Sequence, residues 1–340
     1  MDARLLRALR EARVHLLPGE IAQQCGQSLA DVEAALNRLR DAGFDIESKP
    51  GLGCRLLAEP DRIIADDLFS RLDACSLTRE ILVFEETSST NDVAAKLGRQ
   101  GHAGGVAVFA ERQSAGRGRF GRRWISAGHQ GLWFSLLLRP ELPTANWPRL
   151  TTWAGVAVAT AAGAEARIKW PNDVLLGGKK IAGILIESAV DDSGRPFAIV
   201  GIGVNVNQTE FPPEIADRAS SLRLHGGRVI SRAEFAATLL RELDRLLPTA
   251  TSDFPKILAE AGRRSAVLGE WIELHSGTET FAGIATSLDC EGNLELRLAD
   301  GSLRRMTAGE ISSKPSERAE PKNRSWISTE GTEVHGSSRK

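Results

Sequence analysis

The chain of 340 residues lacks a net charge of either sign: 43 Lys and Arg stand against 44 Asp and Glu, a formal balance of −1. That excludes a protein that coats nucleic acid or membrane over its whole surface, and confines any cationic site to one locality. Cysteine is scarce. Cys25, Cys54, Cys75 and Cys290 lie far apart with no C-x-x-C pair, and no His, Cys and carboxylate cluster has zinc spacing. They read as reduced thiols in a reducing compartment. No long hydrophobic run occurs; the longest, Trp153 to Ala162, is too short to span a bilayer. The opening MDARLLRALREARVHLL carries Asp2 and Glu11 and has no uninterrupted apolar core or A-x-A site, so it does not read as a signal peptide. The expectation is a cytoplasmic chain with no membrane partner. What is present, 42% hydrophobic and 26% charged residues, is ordinary for a globular protein with at least one sizeable core. The length suits two or three domains of ~100–200 residues.

Residues 1–58 read as one domain. Leu5, Leu6 and Leu9 recur at helical spacing; Pro18 and Gly19 break the chain. Ile21, Ala22 and Cys25 give a short apolar face, Gly26 a turn, and Ser28 with Asp31 a helix cap. Val32, Ala35, Leu36 and Leu39 form the next stripe, which Gly43 ends. FDIESKPGLGCRLL follows as a hairpin, so the pattern is a winged helix-turn-helix. The plainer alternative is a small helical protein-interaction module. The presumed recognition helix, Ser28 to Arg40, opens with Asp31 and Glu33 and carries Arg38 and Arg40 only at its end. Acids there are repelled by phosphate, so specific operator binding is expected to be weak or absent.

Residues 62–268 alternate strands with helices, but hairpins dominate, which argues for a mixed, mainly antiparallel α+β domain. Ile81 to Glu85, Gly105 to Ala110, Gly131 to Leu138, Lys179 to Glu187 and Pro196 to Asn207 read as strands. Ile63 to Leu72, Asn91 to Leu97, Trp147 to Ala166 and Ser231 to Leu247 read as helices. Ile168 to Leu176 reads as one strand broken at Pro171, with Gly177-Gly178 turning into its return strand. Residues 269–314 switch to short strands, a small β-barrel of SH3-like size. Residues 315–340 are Ser, Glu, Lys, Arg and Gly with one Trp326, and read as a disordered tail.

The local cationic site is ERQSAGRGRFGRRW, Glu111 to Trp124. Arg112, Arg117, Arg119, Arg122 and Arg123 interleave with Gly116, Gly118 and Gly121. Alternating Gly and Arg makes neither a stable helix nor a good strand, so the segment reads as a mobile loop that seeks an anion. Nucleic acid would want more aromatics than Phe120 and Trp124. No G-x-x-x-x-G-K-[ST] occurs, and GIGVNVN lacks the third glycine of a dinucleotide fingerprint. Nucleotide chemistry without a P-loop fits better. Asp173 could hold Mg²⁺ on ATP phosphates, and Lys and Arg could offset charge on a transferring phosphoryl group under a closing loop.

SSTN at 88–91, GRGRFGR at 116–122 with Trp124, KWPND at 169–173, KIAGIL at 180–185 and GIGVNVN at 201–207 stand in the order of the biotin protein ligases. The chain resembles the bifunctional type with an N-terminal winged helix, over roughly residues 5–314. The resemblance implies a class II synthetase-like domain and a two-step reaction. Biotin and MgATP give biotinoyl-5′-adenylate; a lysine of a biotin carboxyl carrier protein, an acetyl-CoA carboxylase subunit, then takes the biotin. Ser88, Ser89, Thr90, Asn91 and Gln113 then hydrogen-bond the biotin head, whose buried polar atoms each cost ~1–3 kcal/mol if left unpaired. Gly116, Arg117, Gly118 and Arg119 form the loop core over biotin and adenylate, with Arg117 and Arg119 at the reactants. Trp124 is part of the apolar wall beside biotin and ATP or supports the loop, and Arg122 meets phosphate. Lys180 orients the carboxylate and stabilises charge at the α-phosphorus. Asp173 stands on the metal side with Asn172 beside it, and Asn205 binds the nucleotide or the metal. Gly183, Gly201 and Gly203 let backbone approach biotin. Trp170 and Trp133 read as core, Lys179 as solvated, Arg123 as surface charge. His102, His129 and His225 show no evident partner. The family admits a homodimer through a sheet edge. Two other functions compete: chiefly a biotin-operon repressor that also ligates, or a lipoate-type ligase.

Overall fold

In the N-terminal part of the chain, apolar spacing and caps dictate three helices: α1 (Ala3–Glu11), α2 (Pro18–Cys25) and α3 (Leu29–Asp41). The computed structural model describes residues 3–312 except 13, 73 and 74; the expected tail, 315–340, lies outside them. Leu5, Leu6 and Leu9 of α1 close a core with Ile21, Val32, Leu36 and Leu39. Gly26 ends α2 in the left-handed region, and the Ser28 hydroxyl accepts the Asp31 N–H to start α3. A hairpin follows, β1 (Asp45–Lys49) and β2 (Gly53–Ala58). Helix α4 (Ala65–Arg71) then docks on α1. Arg7 donates to the carbonyls of Ser70 (3.1 Å) and Leu72 (2.6 Å), and Arg10 pairs with Glu59 (2.6 Å) and buried Asp67.

The central sheet has seven strands: β3 (Glu80–Thr87), β4 (Val106–Gln113), β5 (Gly131–Leu138), β6 (Arg167–Lys169), β7 (Asp173–Leu176), β8 (Lys179–Val190) and β9 (Pro196–Asn205). Their order is β3-β4-β5-β9-β8-β7-β6. Only β3 and β4 run parallel; α5 (Thr90–Arg99) makes the crossover such a pair requires. Period-two alternation sorts the side chains. Val106, Val108, Leu137 and Phe197 face α5. Ala107, Phe109, Phe134 and Leu136 join a larger core with α6 (Arg149–Ala162), α8 (Arg232–Ser252) and α9 (Phe254–Arg263). Each fully buried side chain of this kind contributes ~1.5–3 kcal/mol. The short α7 (Leu222–Gly226) precedes α8.

Three expectations need correction. KWPND is not a break within one strand. It is the turn of a separate hairpin, with Lys169 paired to Asp173 and a cis Trp170–Pro171 bond at the bend. Helix α8 runs through Pro248 to Ser252, and α9 went unread. The histidines do have partners: His102 faces Glu80, His129 faces Glu85 and Glu111, and His225 faces Glu165.

The contacts divide the chain into two units, residues 1–266 with 288–293, and a second unit beginning at Val267. The second holds a five-stranded sheet of order β13-β12-β11-β10-β14. Its strands are β10 (Trp271–Ser276), β11 (Glu279–Leu288), β12 (Leu294–Leu298), β13 (Leu303–Met306) and β14 (Glu310–Ile311). Alternate residues Ile272, Leu274, Leu294, Leu296 and Met306 are buried. Among the described residues no helix is long and apolar enough to cross a membrane.

Candidate functional site

The site forms where β3 and β4 end side by side. Thr87 pairs with Gln113, and the chain beyond each strand stays attached: Ser114 and Ala115 donate to the carbonyls of Thr87 and Ser88. The junction Ser88-Ser89-Thr90-Asn91 opens α5, yet the Ser89 side chain does not cap it. Buried Thr90 and Asn91 instead form a polar wall. The Gln113 amide oxygen accepts from Thr90 N (2.9 Å) and Thr90 Oγ1 (3.2 Å), and its nitrogen donates to Ser126 Oγ (2.8 Å). Ser135 Oγ lies 2.6 Å from Thr90 Oγ1 and 2.5 Å from Asn91 Oδ1. Asn91 Nδ2 donates to Glu187 Oε2 (2.5 Å). Each group fixes the next, as buried polar groups must. Ser88 is exposed and donates to Asp92 (3.1 Å).

The Gly/Arg segment, expected as a mobile loop, is folded on itself. Gly118 N donates to Arg122 O (2.7 Å) and Trp124 N to Gly116 O (2.9 Å), around a single turn at Arg119–Gly121. Backbone pairing needs no side chain, so glycines can join it. At Gly116 it forbids one: a Cβ would fall 2.6 Å from Trp124 O. Phe120 adopts a left-handed φ of 57° and is exposed. Arg117 forms a two-pronged bond to Asp92 (3.0 and 2.6 Å) and lies 3.7 Å from Glu187. The Arg117 hydrogen bond, more than the charge itself, holds the Asp92 carboxyl below its ordinary range. Arg119 donates to Asn172 Oδ1 (3.2 Å), while Asn172 Nδ2 donates to Ile184 O (3.0 Å). Arg122 and Arg123 are exposed.

Trp124 lies on a floor of two glycines. Gly183 and Gly203 are cross-strand partners on β8 and β9. A Cβ on Gly203 would meet the Trp124 Nε1 at 2.6 Å, and one on Gly183 its Cζ3 at 2.9 Å. Lys180 Nζ stands 5.2 Å from the Trp124 ring centre and 2.6 Å from Asp173 Oδ1. Trp133 meets Trp124 edge-on at 6.2 Å. Gly201 leaves room for Asn91, whose Oδ1 would be 2.4 Å from a Cβ there. The glycines expected to admit ligand thus admit protein side chains here. Asn205 is buried and donates to Ser220 O (3.0 Å), and Ser220 N donates to Lys180 O (2.9 Å), so one residue joins the two. Trp170 and Trp133 are core, and exposed Lys179 reaches Ala216 O (3.2 Å).

Ser126, Ser135, Glu187, Asp92 and Ser220 were missed. A lone serine inside the apolar GLWFSLLL and a glutamate inside β8 were the available signals. Among the described residues no group of three or more His, Cys, Asp or Glu could hold a metal ion. Asp173, a single carboxylate already facing Lys180, fits only a Mg²⁺ that arrives on phosphates.

Residues 83–207 match the biotin/lipoate A/B protein ligase family, and residues 267–313 match the biotin protein ligase C terminal domain. The chain belongs to the biotin/lipoate A/B protein ligase family. Its likeness is to the biotin branch. The bifunctional ligase/repressor BirA of Bacillus subtilis (strain 168) is 33% identical over 305 residues, 87% of this chain and 94% of that protein. The biotin–[acetyl-CoA-carboxylase] ligase of Mycobacterium tuberculosis is 34% identical over 69% of this chain and 88% of its own length. The biotin protein ligase of Aquifex aeolicus, solved with biotin and ATP, superposes with a TM-score of 0.61 at 31% identity, covering 69% of this chain and 98% of that one.

Proposed function

We propose that the chain is an ATP-dependent biotin protein ligase. A biotin carboxylate oxygen attacks the α-phosphorus of ATP, the bond to the β-phosphate breaks, and pyrophosphate leaves. A lysine amine of a biotin carboxyl carrier protein then attacks the acyl carbon; the bond to the adenylate phosphate breaks, AMP leaves, and the amine loses a proton to water. The observation that carries this is the Lys180 ammonium, set between the Asp173 carboxylate and the Trp124 face on the Gly183–Gly203 floor. A cation there orients the biotin carboxylate and offsets charge growing on the α-phosphate. Ser89, Thr90, Asn91 and Gln113 would face the biotin head, with Ser88 at the rim. Gly116 to Arg119 would close the lid, and Arg122, Asn172 and Asn205 would line the nucleotide. Mg²⁺ would enter on ATP beside Asp173. Biotin-dependent exchange of labelled pyrophosphate into ATP tests the reading; exchange that depends on lipoate but not biotin would overturn it.

The finer architecture follows. Helices α1–α3 with the β1–β2 hairpin suit a winged helix-turn-helix, and β10–β14 suit an SH3-like barrel. We infer that the first is not an operator reader, although relatives are named repressors. The exposed face of α3 offers Asp31, Glu33 and Asp41 against Arg38. ATP use and four free thiols support a cytoplasmic site of action. A homodimer would use the β3 edge, because β6 already bonds through Ile168 to Arg264 and Ala266; sedimentation with biotin and ATP tests it.

A further inference from the structure

Arg232, the first residue of α8, is 0% exposed. Its guanidinium spends itself on three segments. Nη1 donates to Glu111 Oε2 (2.5 Å) and Gly131 O (3.3 Å); Nη2 donates to Glu111 Oε1 (3.2 Å) and Asp61 O (2.6 Å); Nε donates to Asp61 Oδ1 (3.0 Å). Glu111 is 1% exposed and also accepts the Ile63 N–H (2.9 Å). Desolvation opposes the arginine's charge, yet hydrogen bonds and charge from Glu111, with Asp61, raise its pKa.

The sequence positions of these partners give the pair its meaning. Glu111 stands two residues before β4 ends at Gln113, and Gly131 begins β5. Between those strand ends lie the Gly/Arg lid, Trp124 and the return segment 125–130. One guanidinium therefore holds both feet of the lid, and only a planar fork of five N–H groups reaches two carboxylates and two carbonyls at once. A buried ion pair is a weak source of stability compared with apolar packing. Its use here is better explained by the geometry it sets.

We propose that Arg232 and Glu111 are positioning residues that staple the base of the lid and so set its closure over the adenylate. The proposal rests on reading the lid's ligand as biotinoyl-adenylate. If the feet part, Gln113 and Trp124 shift together, and the lid holds biotin less tightly in the ground state and the transition state alike.

Arg232→Lys is the test on the full chain, because it keeps charge opposite Glu111 but loses the fork. Hydrogen exchange reads the lid directly: the Gly118 and Trp124 amides exchange about tenfold faster, while β9 amides do not change. In turnover, KM for biotin rises about tenfold with kcat within about twofold. Biotinylation of bystander lysines increases. Unchanged lid amides and unchanged KM in the folded variant overturn the staple. If Arg232→Lys does not fold, the isosteric Glu111→Gln is read the same way. A wild type without biotin-dependent pyrophosphate exchange rejects the ligand, not the staple, which the amides still decide.

Discussion

The proposed chemistry rests on single residues, and they can be tested singly. Lys180→Gln removes the ammonium beside Asp173 and Trp124, so biotin-dependent pyrophosphate exchange should fall ~10²–10³-fold. Retention within about tenfold of wild type would remove Lys180 from the chemical step. Arg119→Gly cuts the lid's bond to Asn172. Adenylate should still form but escape, giving more off-target biotinylation of a bystander protein on an avidin blot; no increase would reject that role. At this scale the sequence offered a KIAGIL lysine and bare glycines as candidates, and the structure brings Lys180, Gly183 and Gly203 together around Trp124. Ser135 and Glu187 stayed hidden because their meaning lies in partners 44 and 96 residues away, Asn91 in both cases.

Elements show a different limit. The amphipathic α3 was readable from its period, and the fully buried β5 from its long unbroken apolar run. The KWPND hairpin was not, because three- and four-residue strands carry too little pattern to show a period. Helix α9 was missed although its last turn is laced by charge. Arg263 first, then Arg264, hold the Glu260 carboxyl down to about 2. A depressed carboxylate stabilises the fold fully above its ordinary 4.5, and that contribution is lost as pH falls toward about 2. Urea midpoints of wild type and Glu260→Gln should therefore differ most at neutral pH and converge below about 4.5. A gap independent of pH would show that Glu260 contributes nothing through its charge.

At the scale of the whole molecule, a charge balance of −1 means that function rests on where the charge sits. The N-terminal helices are not loosely tethered: Arg7 and Arg10 bind them to the segment around α4. Their outward helix is acidic, so with biotin and ATP the chain should not retard its own biotin-operon promoter in a gel-shift assay. Tight, sequence-specific retention would restore the repressor reading. Order of elements and sheet type were legible here from the alternation of motifs. The buried Glu111–Arg232 pair was not, since nothing local joins residues 121 positions apart.

The Trp124 indole resting on the glycine floor also makes the protein its own optical reporter. Trp133 and Trp153 are locked in the core, whereas Trp124 lies in the proposed biotin site, with an ammonium beside its ring. Biotin should move it and change the intrinsic emission, and Trp124→Phe should abolish that change. Emission that still responds to biotin in the variant would place the moving chromophore elsewhere.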